Sequence, residues 1–342
     1  MKKVKKSGKY RAAIIGCGRI GSEFGDNSHA GAYTHFDRTE LIAVSDLDEK
    51  KLKACQERWH VPSAYQNFED MLKHERIDIL SVCTPNNSHL PIIREAVKYD
   101  IKAIYCEKPI AETLEEADEI INLCKASGVL LIINHQRRFN SFFKALRKAI
   151  KSGKFGDFQA VTVYYTRGIA NSGSHIFDLL LYMVGEVEWV SAHYSKAMSY
   201  DESDPNLDGI VSFKNGAKAI LQACDHRKYY IFELNLLMEK GRFRIGSDIE
   251  YFKVVRSNNP LGLCELIKSD SLPIREKVTP ITLLDGVKHI VNCLEGKEKP
   301  LSTGEDGRAA LELISAFHLS ARNNGEKIYL PLKERNIKVK SK

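Results

Sequence analysis

Ala12-Ala13-Ile14-Ile15-Gly16-Cys17-Gly18-Arg19-Ile20-Gly21 joins a short apolar run to three glycines spaced G-x-G-x-x-G. The order predicts a strand, a tight turn and a helix. Gly16 allows the sharp exit from the strand, Gly18 lets the backbone approach a pyrophosphate, and Gly21 lets the helix pack close to the sheet. The helix start then offers unpaired N–H groups and a positive dipole end to phosphate. Three glycines alone could equally form a surface loop. A second apolar run, residues 41–45, turns the reading toward a dinucleotide site because it ends at Asp46. An acid there is placed to hold adenosine ribose hydroxyls. It lies 25 residues beyond Gly21, and the extra length falls in the Gly/Ser/His-containing segment 25–33.

Working outward, strand and helix patterns alternate through the first 130 or so residues. Strands are predicted at 11–15, 41–45, 79–83, 103–106 and 130–134, with amphipathic helices at 49–59, 68–73, 89–99 and 114–127. Continuous apolar strands separated by helices predict a doubly wound parallel sheet of the α/β class. Residues 1–134 form that domain in this reading, with ligands at the C-terminal ends of its strands. Beyond Gly153 the pattern becomes β-rich, with segments 158–167, 188–196, 208–213, 217–225, 230–238 and 241–245. Asn215-Gly216 marks a hairpin among them. Helices at 282–295 and 305–323 and a strand at 327–330 close the chain. Residues 135–342 are therefore expected to be a second domain, of α+β type with an antiparallel sheet.

The 342 residues include 43% apolar and 28% charged side chains, as in globular domains. The net charge of +7 has a simple origin: lysines 2, 3, 5, 6 and 9 crowd one end, and Lys333, Arg335, Lys338, Lys340 and Lys342 the other. Solvated tails, rather than a nucleic-acid surface, explain it, so no nucleic-acid partner is expected. The eight cysteines form no C-x-x-C pair, which suits reduced thiols of a cytoplasmic protein and indicates no metal site. The basic start lacks an apolar signal core, and no stretch approaches the ~20 apolar residues of a membrane span.

Three further stretches bear chemistry. Thr84-Pro85-Asn86 ends the third long strand, and small polar groups there would lie beside a bound dinucleotide; an ordinary turn accounts for the same residues. Glu107-Lys108-Pro109 ends the next strand, where an ammonium group could stabilise a developing alkoxide. In Asn171-Ser172-Gly173-Ser174-His175-Ile176-Phe177-Asp178, His175 opens an apolar helix, and its pKa range suits a general base. Asp178 could share its face or compensate the helix dipole.

Together these stretches resemble the glucose–fructose oxidoreductase / inositol dehydrogenase (Gfo/Idh/MocA) family. The resemblance runs from about Tyr10 to Leu332 and includes Arg137-Arg138-Phe139, Gly153-Lys154-Phe155-Gly156 and Leu330-Pro331-Leu332. It implies an N-terminal Rossmann domain and a C-terminal domain built on a large, mostly antiparallel sheet, whose open face makes homodimers or homotetramers. It also implies hydride transfer between NAD and a ring hydroxyl of a sugar, cyclitol or nucleotide-sugar. Lys108 would contact the reacting hydroxyl and His175 would be the acid/base. Gly16, Gly18, Arg19, Ile20, Gly21, Asp46, Thr84, Pro85, Asn86, His89, Glu107 and Lys108 would bind or border the cofactor. Many members have Asp four residues before the histidine; here Asn171 stands there, as in some members that act on nucleotide-linked sugars. A carboxylate at Asp46 favours NAD over NADP, because it would repel a 2′-phosphate. A glycosidase using transient oxidation and a non-catalytic dinucleotide-binding regulator are the alternative readings. Substrate choice is expected to rest with Arg138, Tyr165, Arg167 and Asp225-His226-Arg227, where an arginine could bind a substrate anion or pair with a carboxylate.

Overall fold

A computed structural model describes residues 8–256 and 262–341, so lysines 2, 3, 5, 6 and 342 of the charged ends lie outside the described residues. The chain divides into two compact units, one comprising residues up to Phe139 together with Ile281–Arg308, the other Asn140–Pro280 together with the residues from Ala309 onward.

The first unit carries six parallel strands: β1 (Tyr10–Ile15), β2 (Thr39–Ser45), β3 (Ser63–Tyr65), β4 (Ile79–Val82), β5 (Ala103–Cys106) and β6 (Leu130–Ile133). Their order is β3-β2-β1-β4-β5-β6, which reverses direction between β1 and β4. This is the doubly wound Rossmann arrangement, and the reversal marks where ligands bind. All four residues of β4 and of β5 are buried, as strands covered on both faces require. Helices α1 (His29–His35), α2 (Glu49–Trp59), α3 (Phe68–His74), α4 (His89–Ala96) and α5 (Leu114–Ala126) supply the crossovers. Side chains of Ser28, Asp48, Asn67 and Thr113 cap α1, α2, α3 and α5.

Two features differ from the sequence reading. The glycine motif opens a five-residue π-helical turn, Arg19–Glu23, and a 3₁₀ turn, Gly25–Asn27, before α1 begins. The segment read as extra length is thus this second turn and most of α1. The domain boundary also moves: helix α8 (Leu283–Leu294), expected in the second domain, belongs to the first unit. Its Leu283, Val287, Ile290 and Val291 share a buried cluster with Ala103, Tyr105, Ile132 and Phe139. A side chain at Gly286 would collide with the Tyr105 hydroxyl, so α8 fits only because that position is glycine. Amphipathic spacing identifies such a helix but not the sheet that it covers.

The second unit holds α6 (Ser141–Lys151), α7 (Asn171–Met183) and a nine-stranded sheet. Its strands are β7 (Phe158–Tyr165), β8 (Val187–Tyr194), β9 (Leu207–Phe213), β10 (Lys218–Ala223), β11 (Phe232–Met238), β12 (Gly241–Ile245), β13 (Ile249–Arg256), β14 (Cys264–Lys268) and β15 (Ile328–Tyr329). The order is β14-β13-β12-β11-β7-β10-β9-β8-β15, antiparallel throughout except between β7 and β10. The Asn215-Gly216 turn joins β9 to β10 as expected, with Gly216 at φ 86°. Helix α9 (Gly304–Arg322) starts in the first unit's segment and continues into the second, where Phe317 packs against Phe177 of α7. The basic C-terminal residues are exposed, but the segment is docked: Ile337 and Val339 are buried between them.

Candidate active site

The ends of β1, β2, β4 and β5 carry the candidates of the first unit. Gly16, at φ 98°, brings the chain out of β1 so close to β4 that a Cβ would lie 2.7 Å from the Cys83 carbonyl oxygen. A Cβ on Gly21 would strike the Gly16 carbonyl. One on Gly18 would meet nothing within 4 Å, which leaves that stretch of backbone open to a ligand. The three glycines therefore do three different jobs, and the open one lies where a pyrophosphate needs access. Arg19 is exposed and Ile20 half-buried beside it.

Asp46 follows directly on β2 and locks the turn. One carboxylate oxygen accepts the Cys17 N–H at 2.7 Å and the other the Asp48 N–H at 2.8 Å. Each oxygen retains a further lone pair, so the half-buried carboxylate can also accept ribose hydroxyls. The open glycine backbone and this acid fit an adenine dinucleotide.

Beyond β4, half-buried Thr84 and exposed Pro85 line the turn, whereas Asn86 and His89 are turned inward. Asn86 is 4% exposed and donates to the Ala111 carbonyl. His89 is fully buried, with ring nitrogens on the Thr84 and Ile110 carbonyls, and burial lowers its pKa. His89 thereby ties the β4 turn to the segment after Pro109.

Beyond β5, Glu107 is the centre of a buried polar network. Its Oε1 accepts from His29 Nε2 at 3.0 Å and from Asn134 Nδ2, and its Oε2 accepts the Lys108 N–H. His29 Nδ1 faces Ser81 Oγ at 2.8 Å, which the Tyr33 hydroxyl reaches at 2.7 Å, and the Tyr105 hydroxyl donates to Asn134. Tyr33, Ser81, His29 and Glu107 thus form one continuous chain of hydrogen bonds. Burial pushes the Glu107 carboxyl up, but the His29 hydrogen bond, the charges of His29 and Lys108 and the Asn134 hydrogen bond outweigh it and hold the group below its ordinary value. A buried carboxylate with several donors is a rigid base for the half-buried Lys108 that follows it. Sequence reasoning missed His29, because its partner lies 78 residues away and no local spacing announces the pair.

The second unit carries the other candidates on α7. Asn171 is its first residue and His175 its fifth, a full turn in rather than at the opening. The i,i+4 spacing puts both on one face, and both are half-exposed. Asp178 is 1% exposed. The helix start has no cap of its own; Asp204, also missed from sequence, accepts the Ala170 and Asn171 N–H groups at 2.7 and 2.8 Å. Of the expected specificity residues, Tyr165 is buried with its hydroxyl on Leu207, and Asp225 pairs with Arg227. Arg138, 5% exposed, binds Asp306 and the Leu301 carbonyl within the first unit. It is a structural clamp.

This fold and this strand-end arrangement define a dinucleotide-dependent oxidoreductase. Residues 10–135 match the model of the Gfo/Idh/MocA oxidoreductase family with its NAD-binding Rossmann fold, and residues 143–244 match a C-terminal domain of that family. The chain belongs to the Gfo/Idh/MocA family. It is 27% identical to the myo-inositol 2-dehydrogenase of Thermotoga maritima, over 89% of this chain and 93% of that protein. It is 23% identical to the D-apiose dehydrogenase of Paraburkholderia graminis, over 92% and 88% respectively. Among solved structures, the WlbA dehydrogenase of Bordetella pertussis, crystallised with NADH and UDP-GlcNAcA, has a TM-score of 0.77 and 26% identity, covering 95% of this chain and all of that one. The protein is an oxidoreductase of this family with an NAD-binding Rossmann domain.

Proposed function

We propose that the protein moves hydride between NAD and a ring hydroxyl or carbonyl of a sugar or nucleotide-sugar, with Lys108 and His175 as its catalytic residues. The observation that carries this reading is the Glu107 network, which anchors the backbone of Lys108 at the end of β5, one strand removed from the reversal in strand order. Gly16, Gly18, Arg19, Ile20, Gly21, Thr84 and Pro85 border the pyrophosphate, and Asp46 holds the ribose hydroxyls and favours NAD over NADP. When bound, NAD supplies the hydride acceptor or donor. Lys108 holds the reacting oxygen and stabilises its charge, His175 exchanges the hydroxyl proton, and Asn171 hydrogen-bonds a neighbouring hydroxyl without carrying charge. The identity of the sugar-class relatives supports the substrate class, and UDP-GlcNAcA in the WlbA structure supports its nucleotide-linked branch.

Assembly through the outward face of the nine-stranded sheet belongs to the same proposal. Ile220 of β10 pairs directly with Ile210 of β9, and they are 52% and 37% exposed. Exposed Tyr164 on the adjacent β7 shares this face, as do exposed Val254 and Leu266 on β13 and β14 toward one edge of the sheet.

The test is the appearance of the reduced-nicotinamide absorbance with purified protein, NAD and a panel of sugars, cyclitols and nucleotide-sugars. Lys108→Ala should lower turnover at least about a hundredfold while leaving NAD affinity largely intact. Full activity in that variant would remove Lys108 from the mechanism.

A further inference from the structure

The two arginines left open by the sequence have opposite fates. Arg138 is buried against Asp306, whereas Arg167 faces two aromatic rings. Its guanidinium carbon lies 4.8 Å from the centroid of Tyr200 and 6.0 Å from that of Tyr230. Among the described residues no carboxylate pairs with it. The nearby Asp225 is answered by Arg227, and Asp204 spends its oxygens on the start of α7. Stacking on ring faces leaves the planar edge of a guanidinium, with its fork of N–H donors, directed away from the rings.

The backbone around Arg167 is built to hold this pose. Arg167 has φ 74°, a left-handed conformation that a long side chain adopts only where its surroundings enforce it. They do so through three loops. Thr166 exchanges hydrogen bonds with Ile231, just after Tyr230. Asn206 accepts the Gly168 N–H and donates to the carbonyls of Ala197, Met198 and Cys224. His226 returns to the Met198 carbonyl and meets the Tyr200 ring edge-on at 5.9 Å. Tyr200 and Tyr230 are 57% and 65% exposed, so the platform faces solvent. It stands four residues before Asn171 and eight before His175.

We propose that Arg167, stacked with Tyr200 and Tyr230, is a specificity subsite for an oxyanion carried by the substrate, a carboxylate or a phosphate on the sugar. The inference rests on the reading of α7 as the substrate end of this unit, and narrows the substrate class from sugars in general to anionic ones. A guanidinium edge matches two oxygens of either group, and tyrosine rings serve the adjacent sugar or base.

Equilibrium binding tests it without turnover. Calorimetric titration of the protein with NADH present would compare glucose with glucuronate, and with glucose 1-phosphate and UDP-glucose. At least one anionic arm should bind about tenfold or more tightly than glucose, as a charge-assisted pair provides, and the favoured arm identifies carboxylate or phosphate as the source. Arg167→Asn, a residue that tolerates the left-handed backbone, should bring the anionic and neutral ligands to within about twofold. Tyr200→Ala should weaken the same preference. Equal binding of neutral and anionic ligands by the wild-type protein, or a preference that survives Arg167→Asn in a variant of normal melting temperature, would overturn the subsite. Anion binding without any NADH formation would defeat the proposed reaction and leave the subsite standing. NADH formation with no advantage for an anion would do the reverse.

Discussion

The glycines at positions 16, 18 and 21 look equivalent in the motif, yet each meets a different environment. Gly21 has the Gly16 carbonyl where a Cβ would sit, and relief requires moving the turn itself. Gly18 has open space. Gly21→Ala should therefore destabilise the protein by about 1–3 kcal/mol, the usual cost of overpacking, whereas Gly18→Ala should stay within about 0.5 kcal/mol of wild type, as open surface positions do. The cofactor reverses the ranking of innocence, because a methyl group at Gly18 stands where a pyrophosphate would approach. Urea denaturation and NADH fluorescence titration on the two variants separate the effects. A Gly18→Ala protein that bound NADH normally would place the phosphates elsewhere. Residue identities in the motif were legible from the sequence because each follows from local backbone geometry. The His29–Glu107 pair and the Asp204 brace were not, since long-range partners leave no local spacing to read.

At the scale of elements, legibility followed burial. The parallel strands β1, β2, β4, β5 and β6 were readable to within two residues, because strands covered on both faces are continuous apolar runs. The three-residue β3 is only half-buried, and β14 is exposed along its whole length, so neither carries such a signal. Helix α9 shows what pattern alone leaves out. It carries His318, which burial, helped by the charge of Arg322, holds at a pKa of about 4. The folded imidazole is then neutral in mildly acidic solution, while the unfolded one titrates near 6.5. Between those values the unfolded chain binds a proton that the folded chain does not, so stability falls as pH drops through the window. The full loss is about 3 kcal/mol, from 1.36 kcal/mol per unit. Stability curves from pH 7 to 4 should show His318→Gln losing less than wild type over that range. Parallel curves would mean that His318 takes its proton within the fold.

For the molecule as a whole, the sheet face of the second unit is the feature that solution measurements reach first. The Ile210–Ile220 pair sits near the middle of the strand order rather than at an edge, where apolar exposure signals association. Light scattering should find a dimer or tetramer, and Ile220→Asp should shift it to a smaller species while leaving the secondary structure intact. A wild-type protein that runs as a monomer at micromolar concentration would remove the assembly reading.

The return of residues 281–308 to the first unit has a consequence for how the protein is made. A ribosome releases the glycine turn, Asp46, the Glu107 network and all six parallel strands early, but the helix that covers Tyr105 emerges only after Pro280. Until then Ala103, Tyr105, Ile132 and Phe139 lack that cover. The nascent dinucleotide domain must wait, partly uncapped, through the synthesis of the whole nine-stranded sheet except β15, and is completed only once residues 281–308 have been made. Its dependence on chaperones should accordingly be set by the length of what is inserted into it, not by its own size.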